Sequence, residues 1–259
     1  MSGVPLEAHL RARRDGGAKL VVPYVTGGLP GWTDVLLAFA DAGADAIEIG
    51  IPFSDPVMDG ATIQEASQRA LEAGATPQSI LEELRQVDAG VPLVAMTYAN
   101  LAHKAGWDRF ATDLARAGIT GAILPDLPLE ESPAWEQAAA SAGVASVLLA
   151  APVSPDDRLG RICARSRGFV YGVTIMGVTG ARVEMAASAA ALGDRLKAAT
   201  DLPVLMGFGV SAVEQAVELA RHADGVIMAS ALMRRFLDGD KPREVAALVA
   251  EVRAALDTR

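Results

Sequence analysis

A single (β/α)8 TIM barrel of the α/β class is the fold this sequence predicts, and two observations predict it. Eight short Val-, Ile- and Leu-rich runs alternate with longer Ala-, Leu-, Glu- and Arg-rich segments through the whole chain. The 259 residues also match the length of one such barrel. Strand-then-helix repetition means parallel strands joined by helical crossovers, and eight units fit a closed barrel better than an open doubly wound sheet. No linker or low-complexity segment divides residues 1–259, so one domain is expected.

The strands are expected at Leu20 to Val25, Ala46 to Ile49, Leu93 to Tyr98, Gly121 to Leu124, Ala145 to Ala150, Phe169 to Val173, Val204 to Met206 and Gly225 to Met228. Helices are expected between them, at Thr33 to Ala42, Pro77 to Gln86, Trp107 to Ala117, Ser132 to Ser141, Pro155 to Arg165, Ala187 to Ala199, Ala212 to Arg221 and Pro242 to Leu256. Thr76 precedes Pro77 as an N-cap. Pro5 to Arg14 predicts an extra helix that closes the barrel bottom, and Ala231 to Phe236 a short helix after the eighth strand.

Composition narrows the function classes. A net charge of −9 argues against nucleic acid as a partner, and an anionic substrate needs local donors rather than a global field. The single cysteine, Cys163, permits no internal disulfide and fits a reducing, cytoplasmic setting. The first fourteen residues carry no apolar signal core, and no apolar run approaches the roughly 18 residues of a membrane span. His9, His103 and His222 lie in unrelated segments, with no spacing that suggests a metal site.

Barrel enzymes carry their chemistry at the C-terminal strand ends. In Ala46-Ile47-Glu48-Ile49-Gly50, side chains alternate, so Ile47 and Ile49 face the helices and Glu48 faces the interior. Lost hydration there favours the protonated acid, which suits general acid–base work near neutral pH. A carboxylate that reaches solvent at the strand end, or pairs with an arginine, is the alternative. The proline-rich loop Ile51 to Gly60 follows, carrying apolar side chains suited to covering a pocket or docking a partner. Asp59 in it either curls back over the barrel mouth, making a pair of carboxyls with separate roles, or caps the helix that begins near Ala61. Tyr24, Met96, Tyr98, Tyr171 and Phe208, with the polar Asn100 and Asp126, end other strands and suggest a flat apolar ligand part. Glycine-bearing loops at Gly177 to Gly180 and Gly207 to Ser211, with Ala229-Ser230 opening a short helix, look like a phosphate cradle of backbone N–H groups.

The segment Glu48 to Gln64, read as E-I-G-I-P-F-S-D-P-V-M-D-G-A-T-I-Q, resembles the signature of the tryptophan synthase α-subunit family. Val22 to Gly28, Tyr98-Ala99-Asn100, Leu124 to Pro128, Gly177 to Gly180 and Gly207-Phe208-Gly209 match in order, so the resemblance spans essentially the whole chain. It implies retro-aldol cleavage of indole-3-glycerol phosphate to indole and glyceraldehyde 3-phosphate, without cofactor or metal. It implies Glu48 as the acid–base group and Asp59 as acceptor of the indole N–H. Tyr24, Met96, Tyr98, Phe208 and Tyr171 would line the indole pocket, and Gly180, Gly209, Ala229 and Ser230 would hold the phosphate. Thr179 would belong to a closing lid. The loop from Pro52 to Asp59, with Pro52, Phe53, Asp55 and Pro56 in it, and Asn100 would meet the β subunit, a pyridoxal-phosphate enzyme, in an αββα heterotetramer.

The chain departs from the family pattern at Ala229, where glycine is usual, at Ala61, at Leu29 and in Thr174-Ile175-Met176. A free-standing indole-glycerol-phosphate lyase would share every site residue. A phosphosugar isomerase would want an acid where Tyr24 stands. A non-catalytic regulatory barrel would have no need of both Glu48 and Asp59.

Overall fold

The computed structural model describes residues 3–173, 182–207 and 209–258, and of 182–186 the backbone. Its elements run α1 (Leu6–Asp15), β1 (Leu20–Thr26), α2 (Trp32–Asp41), β2 (Ile47–Gly50), α3 (Ala61–Glu72), α4 (Pro77–Leu84), β3 (Leu93–Met96), α5 (Ala99–Ala105), α6 (Trp107–Arg116) and β4 (Ile119–Ile123). Then follow α7 (Pro133–Ala142), β5 (Ala145–Ala150), α8 (Asp156–Arg165), β6 (Val170–Val173), α9 (Arg182–Ala199), β7 (Val204–Gly207), α10 (Val213–Leu219), β8 (Gly225–Met228), α11 (Ser230–Leu237) and α12 (Pro242–Asp257). The eight strands pair in chain order and β8 returns to β1, closing a parallel barrel. The expected (β/α)8 architecture is therefore the observed one. No helix among the described residues is long and apolar enough to cross a membrane.

The pleat divides the strands' side chains between two cores. Leu20, Val22, Ala46, Val94, Ile123, Val147, Phe169, Leu205 and Ile227 fill the barrel interior. Val21, Val25, Ile47 and Ile49 belong to the larger core under the helices. Leu6 and Leu10 of α1, 2% and 0% exposed, plug the interior from below, as the N-terminal helix was expected to do. Gly121 on β4 makes room for that plug, because a Cβ there would meet Leu6 Cδ2. At α4, Thr76 accepts the Ser79 N–H at 3.1 Å while Ser79 Oγ accepts the Thr76 N–H at 2.9 Å. This reciprocal cap, with Pro77 at the first helical position, is the start signal read from the sequence.

Two local expectations need correction. The third strand stops at Met96 rather than Tyr98, and the chain enters α5, a helix the residue pattern had not suggested. The Ala99 N–H at its start donates to Asp126 Oδ1 at 2.8 Å, so the cap comes from the loop after β4, 27 residues away. Below the barrel, Asp45 precedes β2 and is 2% exposed. It accepts from the Val21 N–H at 2.8 Å, Arg13 Nε at 2.7 Å and Arg253 Nη1 at 3.0 Å, tying β1, α1 and α12 together.

Candidate active site

Glu48 stands at the upper end of β2, in register with Tyr24 on one side and Val94 on the other. It shares the inward parity of Ala46, so alternation places its carboxyl inside the barrel, as expected. It is 2% exposed, and its Oε2 has no hydrogen-bond partner among the described residues. Among the described residues no cation pairs with it. Burial pushes its pKa up to about 8, with the negative charge of Asp59 adding to the rise.

Asp59 ends the loop between β2 and α3. The loop is rooted by the Ile51 N–H on Met96 O at 2.9 Å and by Thr97 Oγ1 on Ile51 O at 3.2 Å. The helix-capping alternative for Asp59 does not hold: Gly60 occupies the N-cap of α3, and no side chain caps it. Asp59 instead turns toward the barrel mouth. Burial lifts its pKa to about 6, and the neighbouring Tyr98 hydroxyl restrains the rise by favouring the ionised form. At neutral pH the two carboxyl groups therefore sit in opposite states, Glu48 protonated and Asp59 ionised.

Tyr24 and Tyr171 flank this pair. Burial pushes both phenols upward, and the negative charges of Glu48 and Asp59 push the same way. The Tyr24 hydroxyl is 3.2 Å from Thr26 Oγ1 and lies over Gly50, where any Cβ would collide with it. Gly207 gives Tyr171 the same clearance. Met96, Leu149 and Tyr171 are half-buried and packed on top of the interior core, forming an apolar rim. Leu149 was not singled out from the sequence; the period-2 pattern Ala145, Val147, Leu149 was the signal that it faces inward. Tyr98 is 3% exposed and its ring stacks on Phe53, with centroids 5.1 Å apart and planes 28° apart. The structure thus commits Tyr98 to the loop more than to an open pocket wall.

One strand beyond β1, after β8, Ala229 is the N-cap of α11 with φ −125°, and Ser230 is the helix's exposed first residue. The negative φ suits alanine, so the departure from glycine costs no backbone strain here. Gly209 has φ +33° and open space around it. Phe208, Thr179 and Gly180 lie outside the described residues, as does the rest of 174–181.

Of the partner-facing residues, Asp55 and Asn100 are exposed, Phe53 and Pro56 half-buried, and Pro52 buried within the chain itself. Pro52 therefore offers no surface. The exposed apolar area of this loop belongs to Val57 and Met58, 79% and 57% exposed, both within the stretch expected to meet the partner.

A closed parallel barrel with two carboxyl groups at its C-terminal mouth, one of them deeply buried, has the layout of a (β/α)8 enzyme. Residues 10–257 match the family model of the tryptophan synthase alpha chain. The tryptophan synthase alpha chain of Thermobifida fusca is 45% identical over 259 residues, covering 94% of this chain and 96% of that protein. That of Gluconacetobacter diazotrophicus is 44% identical over 257 residues, covering 97% and 90%. The solved structure of Mycobacterium tuberculosis tryptophan synthase in space group F222 superposes with a TM-score of 0.89 at 37% identity and covers 98% of each chain. A crystal structure of the Legionella pneumophila alpha chain gives 0.87 at 30%, covering 98% of this chain and 97% of that one. The chain belongs to the tryptophan synthase alpha chain family.

Proposed function

We infer that the chain cleaves indole-3-glycerol phosphate with Glu48 as the acid–base group and Asp59 as the acceptor of the indole N–H. Family membership makes it a lyase that yields indole and glyceraldehyde 3-phosphate and works with the tryptophan synthase β subunit. The relatives' names favour a subunit over a free-standing lyase. The observation that carries the assignment of roles is the burial of the Glu48 carboxyl inside the barrel, its Oε2 without a partner among the described residues.

The neutral Glu48 gives its proton to C3 of the indole ring, and Asp59 holds the ring N–H as positive charge develops beside it. The Glu48 carboxylate then takes the proton from the hydroxyl on the side-chain carbon next to the ring. The C–C bond breaks, its electron pair restores the indole, and the carbon that bore the hydroxyl becomes an aldehyde. Glu48 ends protonated, as it began. Met96, Leu149, Tyr24 and Tyr171 supply the apolar surround, with Phe208 assigned there by resemblance. Gly209, Ala229 and Ser230 take the phosphate through backbone N–H groups and the α11 N-terminus, with Gly180 assigned there by resemblance and Thr179, likewise, to the lid that closes over Asp59. Asp55, Asn100, Phe53 and Pro56, extended by Val57 and Met58, form the surface offered to the β subunit. A cytoplasmic setting fits the single, buried Cys163.

The direct test is indole formation from indole-3-glycerol phosphate, with and without the β subunit. The isolated chain is expected to be slow and the complex faster; no indole in either case would refute the reading. The pH profile carries a second prediction. Activity needs Asp59 ionised and Glu48 protonated, so kcat/KM rises with pH through about 6 and falls through about 8. A rate still climbing at pH 9.5 would contradict it. Ser230→Asp is expected to raise KM at least about tenfold by repelling the phosphate. An acidic first residue suits the α11 dipole, so the loss would not reflect a weakened helix, and an unchanged KM would refute the placement.

A further inference from the structure

Tyr98 is held from four sides. Its ring packs against Phe53, and its hydroxyl oxygen accepts the Met58 N–H at 2.9 Å. Its own carbonyl accepts the Leu101 N–H at 3.1 Å, and the next backbone N–H, that of Ala99, is fixed by Asp126 at 2.8 Å. These contacts join the first turn of α5 to the middle and the end of the β2–α3 loop. Because the phenol oxygen already accepts from Met58, its hydrogen is free to be donated, and the next residue in the chain, Asp59, carries a carboxylate whose negative charge pushes the phenol's pKa upward. The Met58 side chain is 57% exposed, and the Asp59 backbone is held by its N–H on Pro56 O at 3.0 Å and by Gln64 Nε2 on its carbonyl at 2.8 Å, contacts that leave the carboxylate itself to be aimed.

We propose that Tyr98 is a positioning residue that clamps the Asp59 loop by its hydroxyl, accepting from the Met58 backbone and donating to the Asp59 carboxylate, and so aims Asp59 at the ring nitrogen. The proposal rests on the reading of Asp59 given above. Removing the hydroxyl takes a donor away from the ionised form of Asp59, which favours its protonated form.

The test is the pH dependence of kcat/KM for indole-3-glycerol phosphate cleavage in wild type, Tyr98→Phe and Asp59→Asn, each with the β subunit present. Phenylalanine keeps the ring that stacks on Phe53, so the fold is retained. The acid limb of Tyr98→Phe is expected to move up by about one pH unit, with activity at pH 7 reduced about tenfold. A purely structural role would lower activity without moving the limb. An unmoved limb in Tyr98→Phe, with a limb abolished in Asp59→Asn, overturns the clamp and leaves the role of Asp59 standing. A limb retained in Asp59→Asn overturns both.

Discussion

Glu48→Gln is expected to lower indole formation about 1,000-fold or more while binding of indole-3-glycerol phosphate stays within a few-fold of wild type. Glutamine keeps the shape and fills the same interior space, but it can neither protonate C3 nor take the hydroxyl proton. Positioned acid–base groups typically contribute about 10²- to 10⁴-fold, and here one group serves two steps. The same substitution should stabilise the fold. A carboxyl whose pKa rises from 4.5 to about 8 on folding contributes fully below pH 4.5 and loses that contribution as pH climbs toward 8. At pH 7 the cost of keeping it neutral is on the order of 3 kcal/mol, so the variant should unfold roughly 5–10 °C above wild type at pH 7. Near pH 4 the difference should vanish. Calorimetric binding, a cleavage assay and thermal melts at the two pH values check all three parts, and cleavage within a few-fold of wild type would sink the assignment.

The second large effect lies far from the chemistry. Asp45→Ala should destabilise the protein by about 3–5 kcal/mol, enough to lower the melting point by roughly 10 °C. The carboxylate is 2% exposed and accepts three hydrogen bonds, from Val21, Arg13 and Arg253. Its loss strands the Val21 N–H and leaves Arg253, itself 8% exposed, with Asp257 as its remaining acidic partner at 2.6 Å. Catalytic constants measured well below the melting point should barely change, because the cluster sits under the barrel. A melting point within about 2 °C of wild type would show that the surrounding structure relaxes around the loss.

The contrast between these residues explains what could be read in advance. Glu48 was legible because the pattern Ile47-Glu48-Ile49 is a local signal: the pleat sends one polar side chain inward whatever the rest of the chain does. The eight strands were legible for the same reason, though not every strand end, as was the Thr76 cap, whose partners lie within one helical turn. Asp45 carries no such signal. Its partners at positions 13, 21 and 253 meet only after the barrel closes, and an Asp in a turn before a strand is otherwise unremarked. Helix α5 was missed because its first N–H is satisfied by Asp126 across a loop rather than by a neighbour in sequence. Asp59 lay between these cases. Asp-Gly before a helix reads equally well as a cap, and only the placement of Tyr98 and Glu48 decides for the barrel mouth. Pro52 was placed at the partner surface by resemblance, yet the loop's root buries it and leaves Val57 and Met58 outside.

The central claim is that the Glu48 carboxyl is uncharged at neutral pH inside the barrel. A carbon-13 NMR titration of the glutamate side-chain carboxyls, with the Glu48 resonance identified by its absence in Glu48→Gln, measures this directly. The account predicts a midpoint near 8 for that resonance. A midpoint near the ordinary glutamate value of about 4.3 would contradict it.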